Sequence, residues 1–310
     1  MKSSAMPVFA PPVCLSNGLK IPSIGLGTFK TTTSDLAKIA ISSALDAGYR
    51  HIDTAFIYSN ESDIGTALQS KMSEGGISRE EMFITTKLWG TDHHPQDVMP
   101  ACKASLARLQ LDYVDLYHVH WPVPLLLEEP RDNFTLEDTW RAMEKLVEAG
   151  LVRNLGLSNF NRSQIDRIFE VATIKPTVLQ VEASIGFLNE KLLKYAHSIG
   201  LQVTGYAPFG SPGTSPEYSN PLQNPCVVDI AKRHNKSAGQ ILIRHGIQRG
   251  LIVIPKSTNP ERIRENIDVF DFELSEEEMS MLNAAEPNQR RRFELKAWSK
   301  LPEYPFHAEY

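Results

Sequence analysis

Asp53, Tyr58, Lys87 and His120 are the residues whose types could do chemistry together. A carbonyl becomes an alcohol when a hydride reaches its carbon and a proton reaches its oxygen, and the proton donor works best with a pKa near the working pH. A free tyrosine, near about 10, is too weak. A lysine ammonium beside the phenol favours its ionised form. At ~4 Å and an effective dielectric of about 20 the attraction is roughly 4 kcal/mol before desolvation, whereas two pKa units require about 2.7 kcal/mol. The expectation is an acidified Tyr58, with Asp53 keeping Lys87 charged and His120 hydrogen-bonding the substrate oxygen. Taken singly, each residue has a plainer reading: a helix cap, a rim aromatic, a solvated lysine, a satisfied core histidine.

Such residues need a scaffold that brings distant segments together. Apolar strand-like runs recur near Ile24, Ile52, Ile84, Val114, Leu155, Leu179, Val203 and Val253. Between them, Asp35 to Ala47, Asp97 to Leu109, Leu136 to Ala149 and Glu190 to Ser198 place apolar residues at helical intervals. Four helices run into glycine and then a strand, at Gly48, Gly150, Gly200 and Gly250, the signature of a left-handed helix cap repeated at αβ turns. Eight βα units in about 250 residues predict a parallel (β/α)8 barrel, with active residues where strands end. Asp53, Lys87 and His120 fall at such ends. A doubly wound sheet would need a nucleotide fingerprint after its first strand, and Gly25-Leu26-Gly27-Thr28-Phe29-Lys30 lacks the third glycine. A hairpin over Val13–Ile21, turning at Asn17-Gly18 in type I′ geometry, is expected to open the chain. The tail from Pro287 to Tyr310, with the run Arg290-Arg291-Arg292, is expected to pack across one end of the barrel.

The composition agrees with this class. The chain has 310 residues, 42% hydrophobic and 22% charged, with no Pro/Gly/Ser linker dividing it, so one domain spanning 1–310 is expected. A net charge of −5 leaves no electrostatic footprint for nucleic acid or an anionic membrane. Three scattered cysteines, Cys14, Cys102 and Cys226, indicate neither a disulfide framework nor a cysteine metal site. No run approaches the ~18 apolar residues of a membrane span, and a cytoplasmic location is the expectation.

The runs His51-Ile52-Asp53-Thr54-Ala55, Tyr58-Ser59-Asn60-Glu61, Thr86-Lys87-Leu88-Trp89 and His118-Val119-His120-Trp121-Pro122 resemble the aldo-keto reductase superfamily, in its aldose-reductase-like branch. The resemblance covers nearly the whole chain in order. It implies a catalytic tetrad of Asp53, Tyr58, Lys87 and His120 with Tyr58 as proton donor, an NADPH/NADP+ cofactor, a small carbonyl substrate and a monomer. Ser158, Asn159 and Gln180 would hold the nicotinamide carboxamide and Tyr206 would stack on its ring, with Gly27, Thr28, Asp53 and Ser211 as further cofactor contacts. Lys256, Ser257, Thr258 and Arg262, where Pro260 suits a first helical turn, form a compact anion site for the 2′-phosphate; Glu265 and Asn266 would meet the adenine. Phe29, Trp89, His120 and Trp121 would line the substrate pocket.

The pattern is broken in three places. Ala183-Ser184-Ile185-Gly186 stands where a ring and His-Pro usually follow Gln-x-Glu, Phe29 stands where Trp is common, and the loop after Trp121-Pro122 is short and carries Leu125-Leu126-Leu127. These predict a more open, apolar pocket. Three rivals are weighed. A metal-dependent hydrolase would use His118 and His120, two apart on a strand, against the alternative that only His120 faces the site. A Schiff-base aldolase would use Lys87. A cofactor-binding protein of slow turnover would keep the nucleotide site for a structural or regulatory role. No metal is expected.

Overall fold

The computed structural model describes residues 7–125, 133–212, 218–308 and 310. A short antiparallel ribbon, β1 (Pro12–Cys14) and β2 (Lys20–Pro22), comes first. Its turn differs from the expectation. Gly18 is left-handed at φ 84°, but Asn17 is not, and the bonds Gly18 N to Leu15 O (2.9 Å) and Leu15 N to Leu19 O (2.8 Å) describe a three-residue loop. Asn17 instead uses its side chain, donating to Asn154 Oδ1 and accepting from Leu19 N, and so one left-handed residue suffices.

Eight parallel strands follow: β3 (Leu26–Gly27), β4 (His51–Asp53), β5 (Phe83–Leu88), β6 (Leu116–Val119), β7 (Leu155–Ser158), β8 (Val178–Glu182), β9 (Gln202–Tyr206) and β10 (Leu251–Val253). Each hydrogen-bonds its sequence neighbour, and parallel bridges Ile24 to Val253 and Gly27 to Lys256 join the first strand to the last, closing a (β/α)8 barrel. All eight expected strands are present. The fourth begins two residues later than Val114, which makes only an isolated bridge to Val152.

Helices α1 (Ser34–Ala47), α2 (Glu61–Ser73), α3 (Pro95–Leu109), α4 (Leu136–Glu148), α5 (Arg162–Val171) and α6 (Glu190–Ser198) link successive strands. α7 (Pro225–His234) and α8 (Ala238–Gln248) both separate β9 from β10, and α9 (Pro260–Ile267) and α10 (Glu276–Ala284) follow the last strand. Starts are capped as the residue types require: Thr33 accepts from Leu36 N, and Thr135 with Asp138 forms a reciprocal box. The four expected glycines are left-handed, with φ 107°, 72°, 83° and 79°. At Gly48 a side chain is excluded twice over, since a Cβ would lie 2.2 Å from Val8 O.

Side chains alternate along each strand. Ile52, Ile84, Val119, Leu157 and Val203 turn outward onto the helices, where they meet Ile41, Leu45, Leu106, Trp140 and Ile168 in the main core. Each such fully buried aliphatic contributes about 1.5–3 kcal/mol relative to exposure. Phe83, Leu116, Val178 and Ile252 turn inward and close the floor beneath Leu15 and Ile21 of the ribbon. The inward residues nearer the strand ends are polar. Among the described residues no helix is long and apolar enough to cross a membrane.

Candidate functional site

The barrel alternation that sends Ile52 outward sends Asp53 inward, and the register pairing Asp53 with Thr85 and Lys87 with His118 places the polar residues on one interior face. Lys87 is fully buried. Its Nζ donates to Asp53 Oδ1 at 2.6 Å and to the Thr54 carbonyl at 2.7 Å, while Gln180 Nε2 donates to Asp53 Oδ2 at 2.8 Å. Each oxygen of the Asp53 carboxylate is thus used. Tyr58 sits on a single 3₁₀ turn (Phe56–Tyr58) between β4 and α2. Its ring centroid lies 5.3 Å from Lys87 Nζ and 5.8 Å from the edge-on ring of His120. The structure therefore gathers all four predicted catalytic residues at the C-terminal end of the barrel.

One expectation is corrected. Burial, with the negative charge of Asp53 second, pushes the Tyr58 phenol well above its ordinary value, so the hydroxyl is not acidified. Counting Lys87 alone omitted the desolvation of a phenolate and the charge to which the ammonium is already committed. Burial also lowers Lys87 itself, opposed by Asp53. His120 is held well below the usual histidine range by burial and then by Lys87, and is a neutral imidazole.

These residues open into a cavity of about 440 Å³, lined by Gly27, Thr28, Phe29, Asp53, Tyr58, Trp89, His120, Trp121, Ser158, Asn159, Gln180, Tyr206, Ser211 and Lys256 among the residues expected from sequence. Asn159, left-handed at φ 63°, donates to the His120 carbonyl (2.9 Å) and accepts from the Tyr206 hydroxyl (2.9 Å), so one wall is fixed by mutual bonds. Ser257, Thr258, Arg262, Glu265 and Asn266 lie beyond that cavity. Asn259, at the start of α9, accepts from the amides of Glu261 and Arg262, and Pro260 is the first helical residue. Ser257 is buried and accepts from Asn259 N; Asn266 is buried with its Oδ1 towards Gly239, whereas Glu265 is exposed. Lys256 is lowered by burial and then by the charges of Arg262 and Lys30. Among the described residues no carboxylate pairs with Lys256 or Arg262, which leaves both cations able to take an anion.

Sequence reading missed part of the lining. Ile57, Phe209, Ile254, Phe293 and Leu295 also face the cavity. Trp298 lies tilted against Trp89 (5.6 Å) and edge-on to Trp121 (5.8 Å), extending an aromatic wall from the tail, which does cross the barrel end. The tail lacks a period, so its placement left no signal. Phe29, 43% exposed, tilts against Tyr58 at 5.0 Å. Leu125 does not line the cavity but bonds to Gly90 O, and Leu126 and Leu127 lie outside the described residues. The loop between Pro208 and Pro225 contributes Pro208, Phe209, Ser211 and Pro212 to the cavity; 213–217 lie outside the described residues.

Of the two histidines only His120 lines the cavity; His118 does not. It faces the barrel interior one tier below His120, against Gly156, where a Cβ would sit 2.3 Å from its Nδ1. Among the described residues no group of three His, Cys, Asp or Glu side chains is placed to hold a metal ion. Lys87, committed to Asp53 and Thr54, is not free for a Schiff base.

Comparison with known proteins adds three findings. The profile of the Aldo/keto reductase family matches residues 23–287. "Aldo-keto reductase family 1 member A1" of Xenopus tropicalis is 47% identical over 291 residues, 89% of each chain, and the human protein of that name is 45% identical over 293 residues, 90% of each. Two solved structures superpose closely: the aldose reductase of Schistosoma japonicum (TM-score 0.90, 46% identity, 97% of this chain and 100% of that one) and a Bombyx mori aldo-keto reductase in complex with NADP (TM-score 0.91, 38% identity, 96% and 99%).

Proposed function

The chain belongs to the aldo/keto reductase family, and on that premise we propose that it reduces an aldehyde or ketone to the alcohol with NADPH, Tyr58 giving the proton. The observation that carries this reading is one cavity with two chemically different ends. At one end lie Tyr58, His120 and the buried Asp53–Lys87 pair; at the other lies Lys256, with Arg262 beyond it, and neither cation pairs with a carboxylate among the described residues.

The residues fit a dinucleotide. Ser158, Asn159 and Gln180 offer amide and hydroxyl groups on the wall nearest Asp53, the Tyr206 ring offers a flat face, and the cationic cluster suits a phosphate ester. Bound there, NADPH supplies the hydride. The chain's own residues do the rest. The Tyr58 phenol stays protonated across the ordinary pH range, because burial and Asp53 oppose its ionisation, and it releases its proton only to a base as strong as a developing alkoxide. Lys87 then lies close enough to offset the charge left on the phenolate. Neutral His120 places a hydrogen-bonding nitrogen beside Tyr58 without a competing charge. Trp89, Trp121, Phe29 and Leu295 give the reacting carbonyl an apolar surround.

The test is the loss of NADPH absorbance when purified protein meets an aromatic aldehyde. One alcohol is expected per nucleotide consumed, with NADH much less effective. Nucleotide binding without any turnover across aliphatic and aromatic carbonyls would favour the slow-turnover alternative instead. Preference within that series for small polar sugars would count against the apolar pocket.

A further inference from the structure

The basic run Arg290-Arg291-Arg292 takes no part in the chemistry above, yet its last member is bonded in three directions. The Arg292 backbone N–H donates to both carboxylate oxygens of Glu182 (3.0 Å each), and the following Phe293 N–H donates to the same carboxylate at 3.0 Å. Glu182 ends β8 and is fully buried. The Arg292 guanidinium then reaches the loop after β9, donating to the carbonyls of Gly210 and, at 2.6 Å, Ser219. Gly210 is left-handed at φ 63°, and a Cβ there would lie 3.0 Å from Arg292 Cζ, so the loop comes close enough only with glycine. Tyr218 packs on the guanidinium at 4.7 Å. On the other side lies Gly186, where a Cβ would meet Arg292 Nη2 at an ordinary contact distance of 3.6 Å, at the stretch where this chain departs from the family pattern.

The two segments so joined both wall the cavity, and Phe209 of the loop lies beside Gly239 with Asn266, whereas Trp298 of the tail lies against Trp89 and Trp121. The loop supplies Phe209 and Ser211; the tail supplies Phe293 and Leu295 and carries Trp298. Arg292 itself does not line it. We propose that Arg292, held by Glu182, is a positioning residue that couples the nucleotide end of the cavity to its carbonyl end, so that loosening this one tie disturbs both. The inference rests on the function proposed above. Coupling between sites is reciprocal, and about 5–150-fold in affinity is its ordinary range.

The experiment compares wild type, Arg292→Ala and Arg292→Lys, with Glu182→Gln as a second route to the same tie and thermal melting as the fold control. NADPH Kd is read from quenching of protein fluorescence, and kcat and KM are measured for a bulky aromatic and a three-carbon aldehyde. For Arg292→Ala, Kd is expected to rise about 5–20-fold and KM for the bulky aldehyde about tenfold, with kcat for the small aldehyde within about twofold. Lysine cannot fork to two carbonyls, so Arg292→Lys moves both constants in the same direction and carries the test if the alanine variant does not fold. A folded variant in which only one constant moves, or neither, overturns the coupling and leaves the reductase reading intact. Failure of the wild type to bind NADPH takes both down.

Discussion

Replacing Asp53 by Asn removes one charge from a pair that has no solvent to fall back on. Lys87 Nζ and Asp53 Oδ1 are 2.6 Å apart, with side chains 0% and 3% exposed. At an effective dielectric of about 20 the attraction at that distance is about 6 kcal/mol before desolvation. Deleting one partner of such a pair costs about 3–5 kcal/mol, because an uncompensated charge stays buried. The variant can avoid part of this by letting Lys87 lose its proton. Burial already lowers the Lys87 pKa with Asp53 opposing, so without Asp53 it falls further. The sign follows from proton counting. Where the folded pKa lies below the unfolded value of about 10.4, the unfolded chain holds more protons, and stability rises with pH. The deficit of Asp53→Asn relative to wild type should therefore be about 3–5 kcal/mol at pH 7 and shrink towards pH 9, by at most about 2.7 kcal/mol for one proton over two units. Urea unfolding at pH 7, 8 and 9 measures it. A deficit below about 1 kcal/mol, unchanged over that range, would refute the claim that Asp53 holds Lys87 charged.

Three further outcomes are expected. Gly156→Ala places a Cβ 2.3 Å from His118 Nδ1 and should cost about 1–3 kcal/mol by urea unfolding; the double variant with His118→Ala should lose less than the sum of the two singles. Lys256→Met should weaken NADPH about 10–100-fold and leave NADH nearly unchanged, read by fluorescence titration, because it removes a charge-assisted contact that only the phosphate ester makes. With NADPH saturating, kcat/KM for aldehyde reduction should show no falling limb attributable to Tyr58 up to pH 9, because burial and then Asp53 raise its pKa; a limb centred near 7–8 would mean that Lys87 outweighs burial after all.

What could be read from the sequence was whatever leaves a periodic or local signal. Apolar runs and 3.6-residue periods predicted the eight strands and four of the helices between them, α1, α3, α4 and α6, and Gly48, Gly150, Gly200 and Gly250 marked joints because only a left-handed residue turns the chain there. Asp53, Lys87 and His120 were legible as polar residues at strand ends. What was lost depended on three-dimensional neighbours. Asn17 escapes the left-handed region through a side-chain bond to Asn154, 137 residues away. Phe293 and Leu295 reach the cavity where Glu182 pins the backbone, and no spacing in an aperiodic tail announces that. The direction of the Tyr58 shift needed the depth of the phenol and the position of Asp53, which Coulomb's law applied to one neighbour does not contain.

The central claim, that the Tyr58 hydroxyl delivers the proton while the nucleotide end stands apart from it, is tested most directly by single-turnover stopped flow on Tyr58→Phe loaded with NADPH. NADPH affinity within about twofold of wild type and a first-turnover rate about 10²–10⁴-fold slower is the expected result. A first-turnover rate equal to that of wild type would contradict it.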